Sequence, residues 1–138
     1  KIVDEFDRQG VRYISSKMYV GDYCDLERPL VIIDRKQNIA EIAQNATGGH
    51  DRFKRELMRL DEMGAKMYIL IEQDRIDGKP IESIEDIMFW EPKYGQVMGM
   101  RIYRILDAWQ HKHNIVTRGI QGKRSSASWR RGDAWITR

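Results

Sequence analysis

The feature that most constrains this chain is the run Leu30-Val31-Ile32-Ile33-Asp34-Arg35-Lys36, in which four apolar residues lead directly into three charged ones. A short, β-branched apolar run of this kind reads as a strand committed to the interior. Charges at the end of such a strand are costly unless they are paired or bound to a metal. Alternation along a strand puts Asp34 and Lys36 on one face and Arg35 on the other. Gly21 to Asp25 reads as a second strand, joined to the first through a turn at Leu26-Glu27-Arg28-Pro29, where proline is in character. In that hairpin Asp22 lies across from Ile33 and Asp34, on a strand about 5 Å away. Two carboxylates and an ammonium then converge, which is what metal-dependent phosphodiester hydrolysis requires: hard oxygen donors for Mg²⁺ or Mn²⁺, and a cation beside the attacking water. The competing reading is a strand-end ion pair between Asp34 and Lys36, with Asp22 an ordinary turn acid.

The flanking pattern is mixed. Ile2, Val3 and Phe6 share a helical face, and Gly10 closes that helix. Val11 to Tyr19 reads as a strand. After Lys36 the spacing of Ile39, Ile42, Ala43 and Ala46 predicts a helix, interrupted by Gly48-Gly49. A second helix is predicted from about Asp51 to Met63, with Phe53, Leu57, Leu60 and also Met58 as inward positions, and Gly64 ends it. Lys66 to Glu72 reads as a buried strand, Asp77-Gly78-Lys79-Pro80 as a turn and Ser83 to Phe89 as a short helix. Gln96 to His113 is predicted to be a long helix whose inward set includes Val97, Met100, Ile102, Tyr103, Leu106 and Trp109. No internal repeat or linker divides the 138 residues, a length that suits one domain.

The combination of Val20-Gly21-Asp22-Tyr23, an apolar strand ending in Asp34-Arg35-Lys36, Gly49-His50-Asp51-Arg52-Phe53 and the strand Tyr68-Ile69-Leu70-Ile71-Glu72 resembles the nuclease domain of the XPF family of structure-specific DNA endonucleases, over roughly Lys1 to Asp74. The resemblance implies an α/β, restriction-endonuclease-like PD-(D/E)XK core: a central mixed sheet flanked by helices. The core would span about residues 1–75, with a helical and basic extension over about 76–138. It also implies a Mg²⁺- or Mn²⁺-dependent endonuclease acting on branched DNA such as flaps, forks or junctions, in a short stand-alone form like those carried by phages, and a homodimer. On this mapping Asp22, Asp34 and Lys36 are catalytic. Asp22 and Asp34 are metal ligands with the Arg35 carbonyl, and Arg52 contacts DNA or the active site.

The chain departs from the family in three places. Asp34 stands where the family usually has glutamate. Ala40 stands where it has an aspartate, with Glu41 one position late. The family's first strand and its Asp-x-Arg-Glu segment would precede Lys1, so either this sequence is a piece of a longer chain or Asp4, Glu5 or Asp7 substitutes. The missing segment and Ala40 favour a rival reading, a non-catalytic DNA-binding module that keeps the nuclease fold; the intact Asp22, Asp34 and Lys36 oppose it.

Other residues admit two readings each. Gln37 could orient water or phosphate, and His50 could touch phosphate or simply open a helix. Arg52, Arg55 and Arg59 form a basic stripe that is either a solvated face or a DNA track. Net charge is only +3, but Arg118, Lys123, Arg124, Arg130, Arg131 and Arg138 face a lone acid, Asp133, with Trp129 and Trp135 between them. That end is either a phosphate-contacting surface or a solvated tail whose tryptophans pack back on the core. His111 and His113, two apart on a helix, do not share a face and so do not make a metal pair. Cys24 is expected in the core, and a single cysteine points to a reducing compartment. The cytoplasm is the default, with the nucleoid in a prokaryotic host or the nucleus in a eukaryotic one as variants. No apolar run approaches the roughly 18 residues of a membrane helix, so no membrane partner is expected.

Overall fold

A computed structural model of the chain describes residues 2–73, 75–95, 97–119 and 136–137. In chain order the elements are α1 (Ile2–Gln9), β1 (Tyr23–Cys24), β2 (Val31–Lys36), α2 (Ile39–Ala46), α3 (His50–Met63), β3 (Lys66–Ile71), β4 (Arg75–Ile76), β5 (Lys79–Pro80), a 3-10 helix (Ile84–Phe89), α4 (Gly99–Lys112), β6 (Ile115–Gly119) and β7 (Ile136–Thr137). The fold is mixed α/β. Five strands form a mixed sheet in the order β6-β3-β2-β1-β7, and β4 and β5 form a separate small hairpin.

The antiparallel pairing of β1 with β2 sets Tyr23 opposite Ile33, as the hairpin reading required, and so brings Asp22 up to the charged end of β2. Asp25 builds the turn between them: it is buried and accepts from the Glu27 amide at 2.9 Å and from Arg28 Nε at 3.1 Å. From β2 the chain crosses through α2 and α3 into β3, which runs parallel to β2 with Asp34 beside Ile69 and Lys36 beside Ile71. Strand β6 extends the parallel set, with Ile69 beside Thr117.

The helices cover the sheet face that carries Ile32, Asp34, Lys36, Met67, Ile69 and Ile71, all of them buried. Helix α2 starts at Asn38, whose side chain accepts from the Glu41 amide at 2.9 Å. Its periodic residues Ile39, Ile42, Ala43 and Ala46 are all buried. They join Ile71, Ile102 and Leu106 in one core cluster. Helix α3 presents Phe53, Leu57 and Leu60 to Ile32, Met67 and Ile69 in a second, and Trp109 packs against both. Gly64, at φ +63°, ends α3: its amide donates to Asp61 O and that of Ala65 to Leu60 O, satisfying the last carbonyls in a left-handed turn that suits glycine. Ser83 and Asp86 form a capping box at the 3-10 helix, where amides of Glu82 and Ser83 hold the Asp86 carboxyl below the usual range.

Five expectations are corrected. Val11 to Tyr19 is not a strand; most of it is exposed, and the edge of β1 it would need is paired with β7. The Gly21–Asp25 strand shortens to Tyr23–Cys24, because Gly21 and Asp22 bend onto β2 and Asp25 is spent on the turn. Met58 and Met100, expected inward, are 53% and 43% exposed; each helix's apolar stripe is already filled by branched residues at the neighbouring inward positions. Residues 115–119, beyond the expected core, supply a sheet strand, with Ile115 and Thr117 inward. Cys24 is half-buried rather than in the core, and burial, then the neighbouring Asp25, raises its thiol pKa.

Candidate functional site

The site grows out of the register of β2. The same alternation that buries Ile32 turns Asp34 and Lys36 onto the helix-covered face, where they are only 4% and 8% exposed. Lys36 Nζ lies 2.8 Å from Asp34 Oδ2 and 5.2 Å from the centre of the Phe53 ring on α3, so an aromatic face and a carboxylate share the ammonium. The Lys36 contact is an ion pair without hydrogen-bond alignment: Asp34 Oδ2 is buried and, among the described residues, accepts no well-oriented hydrogen bond. Burial pushes the Asp34 carboxyl up to about 7. Lys36 pulls the other way and loses, and the charges of Asp22 and Glu56 add to the rise.

Asp22 is placed by backbone. Gly21, at φ +69°, lies so close to β2 that a Cβ there would collide with Ile32 Cγ2 and sit 3.0 Å from Ile33 O. Glycine is therefore required for both conformation and contact. The next amide, that of Asp22, donates to Ile33 O at 2.8 Å. The Asp22 side chain then reaches forward, and its Oδ2 accepts from the Arg35 amide at 2.9 Å. The Gly-Asp pair thus seats one carboxylate on the strand segment that carries the other.

Arg35 points to the opposite face, as alternation requires, and its guanidinium grips Glu72 through Nε at 2.7 Å and Nη2 at 2.9 Å. The Glu72 carboxylate, and after it Tyr23, raise the already high Arg35 pKa. Glu72 is therefore engaged in a surface pair.

The structure brings together Asp22, Asp34, the Arg35 backbone and Lys36. Glu41 accepts from the Gln37 amide at 2.7 Å, so this acid secures the β2–α2 junction, and the Gln37 side chain is exposed. Glu5 is engaged within α1 by Arg8 Nε at 2.9 Å, and Asp4 and Asp7 are exposed on that helix. His50, Arg52 and Arg55 are exposed on the first two turns of α3, the helix that also carries Phe53. Lys123, Arg124, Arg130 and Arg131 lie outside the described residues. His113 Nδ1 is 2.8 Å from Asp61 Oδ2, linking the end of α4 to α3, while His111 is exposed.

Among the described residues, no three His, Cys, Asp or Glu side chains converge closely enough to hold a metal ion. The donor set that could hold a hard cation is smaller: the Asp22 and Asp34 carboxylates, including the buried Asp34 Oδ2. That composition suits Mg²⁺, which binds through one or two carboxylates and keeps several waters.

Glu56 is the residue the sequence reading missed. It lies three residues after Phe53 and four before Leu60, on the inward stripe of α3, and its Oε1 accepts from the Gly21 amide at 2.8 Å. An acid on an apolar stripe was the available signal, masked by the arginines around it.

No protein-family model matches the chain, and neither does any curated protein or solved structure. Among the described residues, no helix is long and apolar enough to cross a membrane.

Proposed function

We propose that the chain is a Mg²⁺- or Mn²⁺-dependent DNA endonuclease with a PD-(D/E)XK core, similar to the XPF-family nuclease domain and directed at branched DNA. One observation carries the reading: Asp34 and Lys36 are buried together at the end of β2, while Asp22 is held against the Arg35 amide of the same strand. Burying an acid at the cost of a carboxyl pKa near 7 destabilises a fold, and such departures concentrate at functional sites. The order of elements supports the reading further, since an antiparallel hairpin followed by a helical crossover to a parallel strand suits that core.

In this reading Asp22 and Asp34 hold the cation with the Arg35 carbonyl. A cation held there would supply an acidified water and offset charge on the phosphate. Lys36, seated between Asp34 and the Phe53 ring, orients the attacking water and stabilises charge developing on phosphate oxygens. His50, Arg52 and Arg55 bind the DNA backbone beside the site, and the basic residues Lys123, Arg124, Arg130 and Arg131 add further phosphate contacts. A homodimer and a cytoplasmic or nucleoid setting belong to the same proposal.

The test is cleavage of end-labelled flap, fork and four-way-junction DNA beside linear duplex, with Mg²⁺, Mn²⁺ or EDTA. The expected outcome is metal-dependent cutting of the branched forms; absence of cutting on every substrate counts against the reading. A second reading, a non-catalytic DNA-binding module, is favoured by the two-carboxylate donor set among the described residues. It predicts DNA binding with no Mn²⁺ heat that depends on Asp22.

A further inference from the structure

Glu56 enters the site from a different element than any other member. It projects from α3, while Asp22 lies in the loop before β1 and Asp34 and Lys36 lie on β2. Among the described residues it accepts one hydrogen bond, from the amide of Gly21 at 2.8 Å. That amide belongs to the residue whose conformation and close approach to Ile32 and Ile33 set the path of the loop. Three hydrogen bonds then follow in chain order: Gly21 N–H to Glu56, Asp22 N–H to Ile33 O, and Arg35 N–H to Asp22 Oδ2. The first ties the loop to the helix, the second ties it to the strand, and the third is the functional carboxylate itself.

We propose that Glu56 is a positioning residue that seats Asp22. By accepting from the Gly21 amide it locks the Gly21–Asp22 loop between α3 and β2, so that the Asp22 carboxylate is held at the Arg35 amide before any cation arrives. Its role toward a metal rests on the endonuclease reading above; its role toward the loop does not. One observation separates positioning from ligation: among the described residues, Glu56 does not group with Asp22 and Asp34 as a three-acid metal cluster. The half-buried setting of Glu56 gives that single bond weight, because a hydrogen bond to a charged acceptor shielded from water is stronger than a neutral one at the surface.

The experiment uses the full chain and two substitutions. Glu56→Gln keeps an acceptor oxygen of the same reach and removes the charge; Glu56→Ala removes both. Amide hydrogen exchange reads the loop without metal. Glu56→Ala is expected to speed exchange at Gly21 and Arg35 by about tenfold or more while β3 amides hold, and Glu56→Gln to stay within about threefold of the parent. Calorimetry with Mn²⁺ alone then reads the site: Glu56→Ala is expected to weaken binding about tenfold, and Glu56→Gln to restore it to within about threefold. Unchanged exchange at Gly21 and Arg35 in Glu56→Ala overturns the proposal whatever the metal does. Mn²⁺ binding weakened as much by Gln as by Ala also overturns it, since Glu56 would then act through its charge. If the exchange pattern appears but the parent binds no Mn²⁺, the positioning role stands and the endonuclease reading fails.

Discussion

Replacing Asp34 with asparagine should remove a pH dependence from the stability of this protein. The folded state holds the Asp34 carboxyl at about 7 against an ordinary 3.8, chiefly because the group is buried. Between those values the folded protein keeps a proton that the unfolded chain has released, so stability is greatest below about pH 4 and falls as pH rises to about 7, levelling off above. At about 1.4 kcal/mol for each tenfold change in proton affinity, the full loss is ~4 kcal/mol as an upper bound. Lys36 already offsets part of the burial cost, which sets the loss below that of an isolated buried acid. The assay is urea unfolding of parent and Asp34→Asn from about pH 4.5 to about pH 8.5. The difference between the two is the readout, because other titrating groups and any pH-independent cost of the substitution drop out of its slope. The parent should lose stability relative to the variant by a few kcal/mol across the window. Parallel curves would refute the burial argument.

Gly21→Ala should destabilise the fold by about 2–4 kcal/mol, from its left-handed conformation together with the collision at Ile32 Cγ2, as read by the unfolding midpoint. The Arg35–Glu72 pair is bidentate but its side chains are 43% and 37% exposed, so Glu72→Gln should change stability by less than about 1 kcal/mol. Arg52→Ala and Arg55→Ala should each weaken DNA binding and lower the slope of log affinity against log salt by about 1, as measured by fluorescence anisotropy; an unchanged slope would return those arginines to a solvated face.

The parts of this fold that were legible in the sequence are those where one local signal and the tertiary context agree. Ile39, Ile42, Ala43 and Ala46 announce α2, and the apolar run into Asp34 announces β2, because burial on one face imposes a period that survives in the residues themselves. The same alternation placed Asp34 and Lys36 together and Arg35 apart. Val11 to Tyr19 misled because a strand pattern says nothing about whether a sheet edge is free, and here β7 takes the edge of β1. Strand β6 was missed for the converse reason: Ile115-Val116-Thr117-Arg118-Gly119 is short, and pairing with β3 is what makes it a strand. Glu56 was hidden because its partner, the Gly21 amide, is 35 residues away and is a backbone group with no sequence signature.

Cleavage by Asp34→Asn measures the central claim most directly. The variant should keep the parent's far-ultraviolet circular dichroism and its cooperative unfolding, since asparagine preserves the shape of a side chain that is 4% exposed. With Mg²⁺ or Mn²⁺ and a branched DNA substrate, the parent should cut and the folded variant should not, a loss of about a hundredfold or more in rate. Equal cutting by parent and variant would show that Asp34 and its neighbours are not the catalytic centre.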